Sequence, residues 1–225
     1  MKEEGMAIDV KEITQEALPP QDLSWLDLDN TWGVRAKPGR RGLTLDEIEI
    51  GPYAVADEDT KNQSLKPRGA VVRPTTPKVG RPYTSKAEVW SANSSLLYEE
   101  AVQRQWSSAT DIPWETLQPR PDDMERAMCQ LCTFLTEIEF IAGDVPGMWL
   151  PEVNSEYHEV KLFLLTQIMD EARHLDVFRK RALANGGGLL SAGPGLGLRT
   201  IIESKNYSEM SALMHVLAEG FIQSI

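Results

Sequence analysis

The sequence predicts an all-α fold: a helical bundle preceded by a long proline-rich arm. Three observations predict it. From about residue 92 onward, apolar side chains recur at the three- and four-residue spacing of amphipathic helices. The periodic stretches are separated by clusters of Gly, Pro and Asn, the residues that stop helices. Before residue 90 the composition is different, with eight of the 14 prolines (Pro19, Pro20, Pro38, Pro52, Pro67, Pro74, Pro77 and Pro82) in that part. A chain so often interrupted does not form long helices.

Residues 1–90 therefore read as an arm, partly extended, wrapped on a body or a partner, or else a flexible tail. Its stretch from Lys61 to Lys86 carries seven cations and no acid. Leu43 to Ile50 alternates apolar and polar residues and reads as a short strand. Residues 91–225 read as the helical domain. Tyr98, Ala101, Val102 and Trp106 share one face of its first helix, which stops in Thr110 to Trp114. The second helix starts at Pro121, with Asp122 and Asp123 at the positive end of its dipole. It runs to about Ala142 and stops in Gly143-Asp144-Val145-Pro146-Gly147. A long helix follows from about Glu152 to Ala184, closed by Asn185 and three glycines. After the glycine-rich connection 186–197, a short helix is expected around Leu198 to Ser204, then a last helix from Tyr207 to Ile225. That connection follows no strand and lacks the Gly-Lys-Ser/Thr of a phosphate loop, so it reads as a flexible link.

Composition narrows the function. Lys and Arg number 23 against 34 Asp and Glu, a net charge of −11, which argues against general nucleic-acid binding. No apolar run approaches the roughly 20 residues of a membrane span. The acidic start MKEEGMAIDVKEITQE lacks the apolar core of a secretory signal, so a cytoplasmic location is expected. Cys129 and Cys132 make no disulfide framework. Lying in mid-helix rather than at a helix start, they read as small apolar residues and not as a redox pair.

The chemistry centres on Glu171-Ala172-Arg173-His174. At about 100° per residue, Glu171 and His174 fall on one helix face, where a carboxylate and an imidazole can reach one metal ion. On the preceding helix, Glu139 stands in a stripe of small and apolar residues (Met128, Cys132, Leu135, Ala142 and Gly143). A carboxylate there needs a metal, a cation or a proton. Glu137 falls on the other side, near Gln130 and Asp144, and is the weaker candidate. Glu219 is an acid among Ala212, Val216 and Ile222. His215, one turn earlier, reads as a ligand, a supporting residue or a surface residue. His158, about 140° around the helix from Glu171, falls outside the site. Arg173 is expected to reach Asp170 or Asp176. Asp170 is alternatively an acceptor supporting a histidine ligand. Trp106, Trp114 and Trp149 read as packing residues.

These features match a known design, in which four helices supply two Glu and two Glu-x-x-His motifs to two metal ions. With Glu139, then Glu171 and His174, then Glu219, the chain resembles the ferritin-like superfamily. It is most similar to the branch of ribonucleotide reductase small subunits, related oxidases and di-iron oxygenases. The text Tyr98-Glu99-Glu100, Gln105-Trp106 and Asp111-Ile112-Pro113-Trp114 looks like the helix before the ligand helices in that branch. Asp170 to Phe178 is the most specific segment. The resemblance implies two iron ions, with manganese possible at one position, held by Glu139, Glu171, His174 and Glu219. It also implies dioxygen, an electron donor and a small organic substrate as partners, with hydroxylation or N-oxygenation as the reaction. Leu135 and Phe178 would wall an apolar substrate pocket.

Two departures stand out. Phe178 occupies the place of the reductase radical tyrosine, which points away from a radical subunit and towards an oxygenase or oxidase. The second Glu-x-x-His is missing. The chain is thus expected to be part of a longer di-iron protein, or to complete its site as a homodimer, or to be a metal-free bundle serving as an interaction scaffold. A ferroxidase would use the same ligands but needs no organic pocket or 90-residue arm.

Overall fold

The computed structural model describes residues 20–27, 33–54, 67–71, 85–185, 187–191 and 195–224. Much of the proline-rich, cation-rich arm falls outside the described residues. Contacts divide the chain into two units, Met1–Gly33 and Val34–Ile225. In the first, Ser24–Asp27 forms a 3-10 turn whose start is held by Asp22, which accepts from the Ser24 amide and hydroxyl.

The second unit is helical, with no strand among the described residues. Its elements are α1 (Leu45–Ile48), α2 (Lys86–Val89), α3 (Ser94–Gln103), α4 (Asp122–Trp149), α5 (His158–Ala184) and α6 (Leu196–Ile202). A final rod follows without a break: α7 (Tyr207–Ser211), a π-helix (Ala212–Ala218) and α8 (Glu219–Ile222). No helix among the described residues is long and apolar enough to cross a membrane.

Helices α4 and α5, of 28 and 27 residues, are the frame. They run antiparallel, because contacts at rising positions on α4 fall at descending positions on α5. Arg181 pairs with Glu125 at 2.6 Å and the Cys129 thiol lies 3.4 Å from the Ala182 carbonyl. Further along, Gly143 faces Glu171 and Gly147 faces Ile168. The start of α4 carries Asp122, Asp123 and Glu125 in its first turn, as the helix dipole favours. Both cysteines are buried and unbridged, and burial pushes the Cys132 thiol up, which suits packing rather than redox chemistry.

Four local expectations are corrected, besides the stop of the first helix, which ends at Gln103 and not in Thr110 to Trp114, leaving Trp106 beyond it. Leu43 to Ile50 is not a strand but contains the helical turn α1. Thr44 opens it as a capping box with Glu47, whose carboxylate accepts from the Thr44 amide at 3.0 Å. The alternation concealed a Thr-x-x-Glu signal that decides the local structure. Thr44→Ala is expected to cost about 1 kcal/mol in denaturant titration, since it removes half of the box. Secondly, α4 does not stop at Ala142 but runs on through Gly143 and Pro146 to Trp149. Val145 and Pro146 are fully buried, and Val145 packs with Ile201, Met210 and Met214. That burial outweighs the lost hydrogen bond at the proline. Thirdly, α5 starts at His158, after a 3-10 turn at Leu150–Glu152, and not at Glu152. Fourthly, the final rod is not one α-helix, because seven residues of it are wound as π.

Two buried clusters lie at the end of the hairpin where α4 joins α5. Val153, Tyr157, Val160 and Leu164 pack against Trp90, which meets Tyr157 edge-on with ring centroids 6.1 Å apart. Val145, Ile201, Met210 and Met214 tie α4 to α6 and the final rod, and half-buried Tyr207 touches both clusters.

Residues that composition assigns to the arm pack closely on this frame. The Leu45 amide donates to Glu99 of α3 at 2.9 Å, and the Ser95 hydroxyl donates to Glu49 at 3.2 Å. Arg68 is buried beside α5 and pairs with Glu159.

Candidate metal centre

Glu139 on α4 and Glu171 and His174 on α5 meet between the two long helices. One donor atom of each lies within 4.8 Å of those of the other two. His174 Nδ1 is 2.9 Å from Glu171 Oε2 and 3.7 Å from Glu139 Oε2. The spacing in sequence explains the geometry: three residues apart on an α-helix puts Glu171 and His174 one above the other. Gly143 marks how close the two helices come at this level: a Cβ there would sit 3.6 Å from that of Glu171, in ordinary van der Waals contact. Glu171 is buried, the Glu139 side chain nearly so, and the His174 side chain remains 42% exposed.

The electrostatics are those of crowded carboxylates. Burial pushes the Glu171 carboxyl above its ordinary range, and Glu139 adds to the push while His174 opposes it. The Glu139 and Glu171 carboxylates in turn push the His174 imidazole up to about 10. At neutral pH, without metal, His174 is therefore an imidazolium between two carboxylates. A metal ion entering the same place replaces that proton.

The other predicted residues surround this group. Glu219 lies outside the three-donor cluster but close enough to feel it. Burial raises its carboxyl and the charge of Glu171 raises it further. His215 is already engaged: its Nε2 meets the Gln167 side-chain amide, 3.0 Å from Nε2 and 3.2 Å from Oε1, and its Nδ1 lies 3.1 Å from the Ser211 hydroxyl. Burial lowers its pKa, so the ring is neutral and fits a positioning place better than a charge-bearing one. Asp170 pairs with Arg173, as one of the two sequence expectations has it, and supports no histidine. Leu135 and Phe178 both line a large apolar groove beside Glu139.

The final helix face is not the expected one. Ala212 is exposed and Val216 is 68% exposed, whereas Met210 and Met214 are buried. The π winding shifts the register, so an α-helical face drawn through residues 212, 216 and 219 does not hold.

Three nearby residues escaped the sequence reading of the site. Trp106 lies past the end of α3 and stacks on His174, with ring centroids 6.4 Å apart and planes 29° from parallel. The Arg173 guanidinium also lies over the Trp106 ring, 5.3 Å from its centroid, and donates to Gln105. The Gln105-Trp106 pair was visible in the sequence, but helical periodicity assigned Trp106 to a packing face. His158 indeed falls outside the centre. It belongs to a second, partly buried group with Glu49 and Glu159.

Fold and site together define a helical protein with a carboxylate and histidine group that could hold a metal ion. No family model, no curated protein and no solved structure matches the chain.

Proposed function

We propose that the chain carries part of the metal centre of an O2-activating oxidase or oxygenase, related in design to the ferritin-like di-iron proteins. The observation that carries this reading is the meeting of Glu139, Glu171 and His174, from two antiparallel helices, within ligand reach of one point. The donor set fits the metal. Two carboxylates and one imidazole suit iron or manganese, which take hard and borderline ligands. The pair Glu139 and Glu171 is also short of positive charge, as the raised Glu171 and His174 values register.

Glu139, Glu171 and His174 would hold the first ion, and Glu219, which feels the charge of Glu171, is the candidate carboxylate for a second. Bound iron would supply the redox chemistry by which dioxygen is reduced, with electrons from a separate donor. The chain's own residues do the rest. His174 gives up its proton on loading and offers Nδ1. Trp106 and Arg173 hold its ring in place. Leu135 and Phe178 exclude water on the Glu139 side and receive a small organic substrate for hydroxylation or N-oxygenation. A soluble, cytoplasmic setting without nucleic acid or membrane belongs to the same reading, as does completion of the site by further helices or by a second copy.

One observation favours a second reading, a metal-free scaffold. The His174 imidazolium already neutralises one of the two carboxylates. Metal content and mass in solution, measured on the same purified chain, test both. Near-stoichiometric iron is expected if the centre is complete, in a monomer or in a dimer, and overturns the scaffold. A monomer or an aggregate without metal, after iron or manganese is offered at pH 8, carries at most part of a centre, and the ligand reading falls if a longer chain also takes up none.

A further inference from the structure

Beside the metal centre, a groove of about 980 Å³ lies between α4, α6 and the final rod, a volume suited to a small organic molecule. Its floor is apolar, formed by Leu131, Leu135 and Ile138 of α4, with Phe178 of α5 at one side. Its two rims are carboxylates. Residues 137 and 139 each stand about 100° from Ile138 around the helix, in opposite directions. Glu139 turns towards Glu171 and His174. Glu137 turns towards Gly195 at the start of α6, where a Cβ would meet Glu137 Oε1 at 3.3 Å.

The two rims differ in one respect. Glu139 has His174 as a partner. Glu137 Oε2 is buried with no hydrogen-bond partner at all. A carboxylate oxygen removed from water and left unmatched is costly, and what it lacks is a donor with positive charge. The surrounding walls are mostly leucine, isoleucine and phenylalanine, which offer a ligand apolar contact; the other carboxylate of the groove, Glu139, already faces His174, and the Thr200 hydroxyl donates to the Leu196 carbonyl. An alcohol would supply the donor without the charge, and a carboxylate ligand would be repelled.

We propose that this groove binds an elongated organic amine, its ammonium on Glu137 and its apolar body across Leu135 and Phe178 towards Glu139. The proposal names the substrate class of the centre described above and rests on that reading only for what happens at the Glu139 end. Binding at the Glu137 end stands without metal.

Hexylamine, hexanol and hexanoate, titrated calorimetrically into the full chain at pH 7, test it. A charge-assisted hydrogen bond predicts that hexylamine binds about tenfold or more tighter than hexanol, with hexanoate weakest. The net charge of −11 draws any amine, so Glu137→Gln is the deciding variant. It should bring hexylamine and hexanol within about threefold of each other. Glu137→Asp should keep the amine preference, which guards against a general loss of folding in the Gln variant. Equal binding of hexanol and hexylamine by the parent chain overturns the proposal. So does an amine preference that survives Glu137→Gln, or a dimer that closes the groove and takes up no amine. Iron uptake measured on the same samples keeps the two readings apart. Amine selectivity without metal removes the metal reading alone, and metal uptake without amine selectivity removes this one alone.

Discussion

A Glu171→Ala chain is expected to lose metal almost entirely, with affinity falling by at least about 100-fold. Removing a supporting residue of a ligand typically costs 10–100-fold, and removing a ligand itself should cost more. His174→Ala should do the same. The stability of the metal-free chain should move differently. The Glu171 carboxyl is buried and its ionised form is disfavoured there, so its removal relieves a cost as well as breaking the contact with His174. A residue with a purely structural role would show the reverse pattern, with stability lost and metal indifferent. Iron content that survives both substitutions refutes the ligand assignment.

The same centre predicts a pH dependence. The His174 pKa is raised to about 10 in the folded chain, so its imidazole holds its proton more tightly there than when unfolded. Its contribution to metal-free stability is thus full below about pH 6.5 and is lost as the pH rises towards 10. Metal binding runs the opposite way, because the ion must displace that proton. Between pH 7 and 9 the apparent affinity should rise by about tenfold per unit, with about one proton released per ion. Calorimetry in two buffers of different ionisation enthalpy reads the proton count directly.

How much of this was legible in the sequence depends on the range of the interaction that decides each element. Glu171 and His174 were legible because their relation is local: three residues on one helix cannot avoid sharing a face. Glu139 was legible as a carboxylate in an apolar stripe, and the stripe faces α5 as expected. The end of α4 was not legible. Gly143 and Pro146 are local stop signals, but the forces that override them come from Ile201 and Met214, more than 50 residues away. Nor was the π segment, since nothing in Ala212–Ala218 marks a change of winding. That one local change moves Val216 out to solvent and sets where Glu219 falls relative to Glu171. Glu137, on the opposite helix face from Glu139, is half-buried with one carboxylate oxygen out of reach of water, and Gly195 at the start of α6 lies against it, a long-range contact that helix periodicity does not reveal. Contacts made by Arg68 were equally hidden, because composition describes a segment and says nothing about where one residue of it docks.

Arg68→Met is expected to produce the largest loss of stability of any single substitution considered. The Arg68 and Glu159 side chains are each 1% exposed, and they pair within the protein. Arg68 also donates from Nε to the Tyr53 carbonyl and from Nη1 to the Glu156 carbonyl, both at 2.8 Å. One guanidinium thus fastens the 3-10 turn at Gly51–Tyr53 and the lead into α5 at the same point. Truncating one partner of a buried pair leaves the other charge uncompensated, which typically costs about 3–5 kcal/mol. For a chain of this size that is a fall in melting temperature of about 6–20 °C. Arg68→Met with Glu159→Leu should recover part of the loss but not all, because the two carbonyls still lose their donor. Glu49 adds a pH signature. Burial and the nearby Glu159 raise its carboxyl to about 7, so the folded chain holds that proton more tightly than the unfolded one. Stability contributed by the protonated form is therefore complete below about pH 4.5 and is lost as the pH rises towards 7. Arg68 opposes this by favouring the ionised form, so the decline should persist further up the pH scale in Arg68→Met. Melting temperatures recorded from pH 5 to 8 for both chains test the whole account. Parallel curves, or a loss of less than about 1 kcal/mol, would show that Arg68 is not the fastening point.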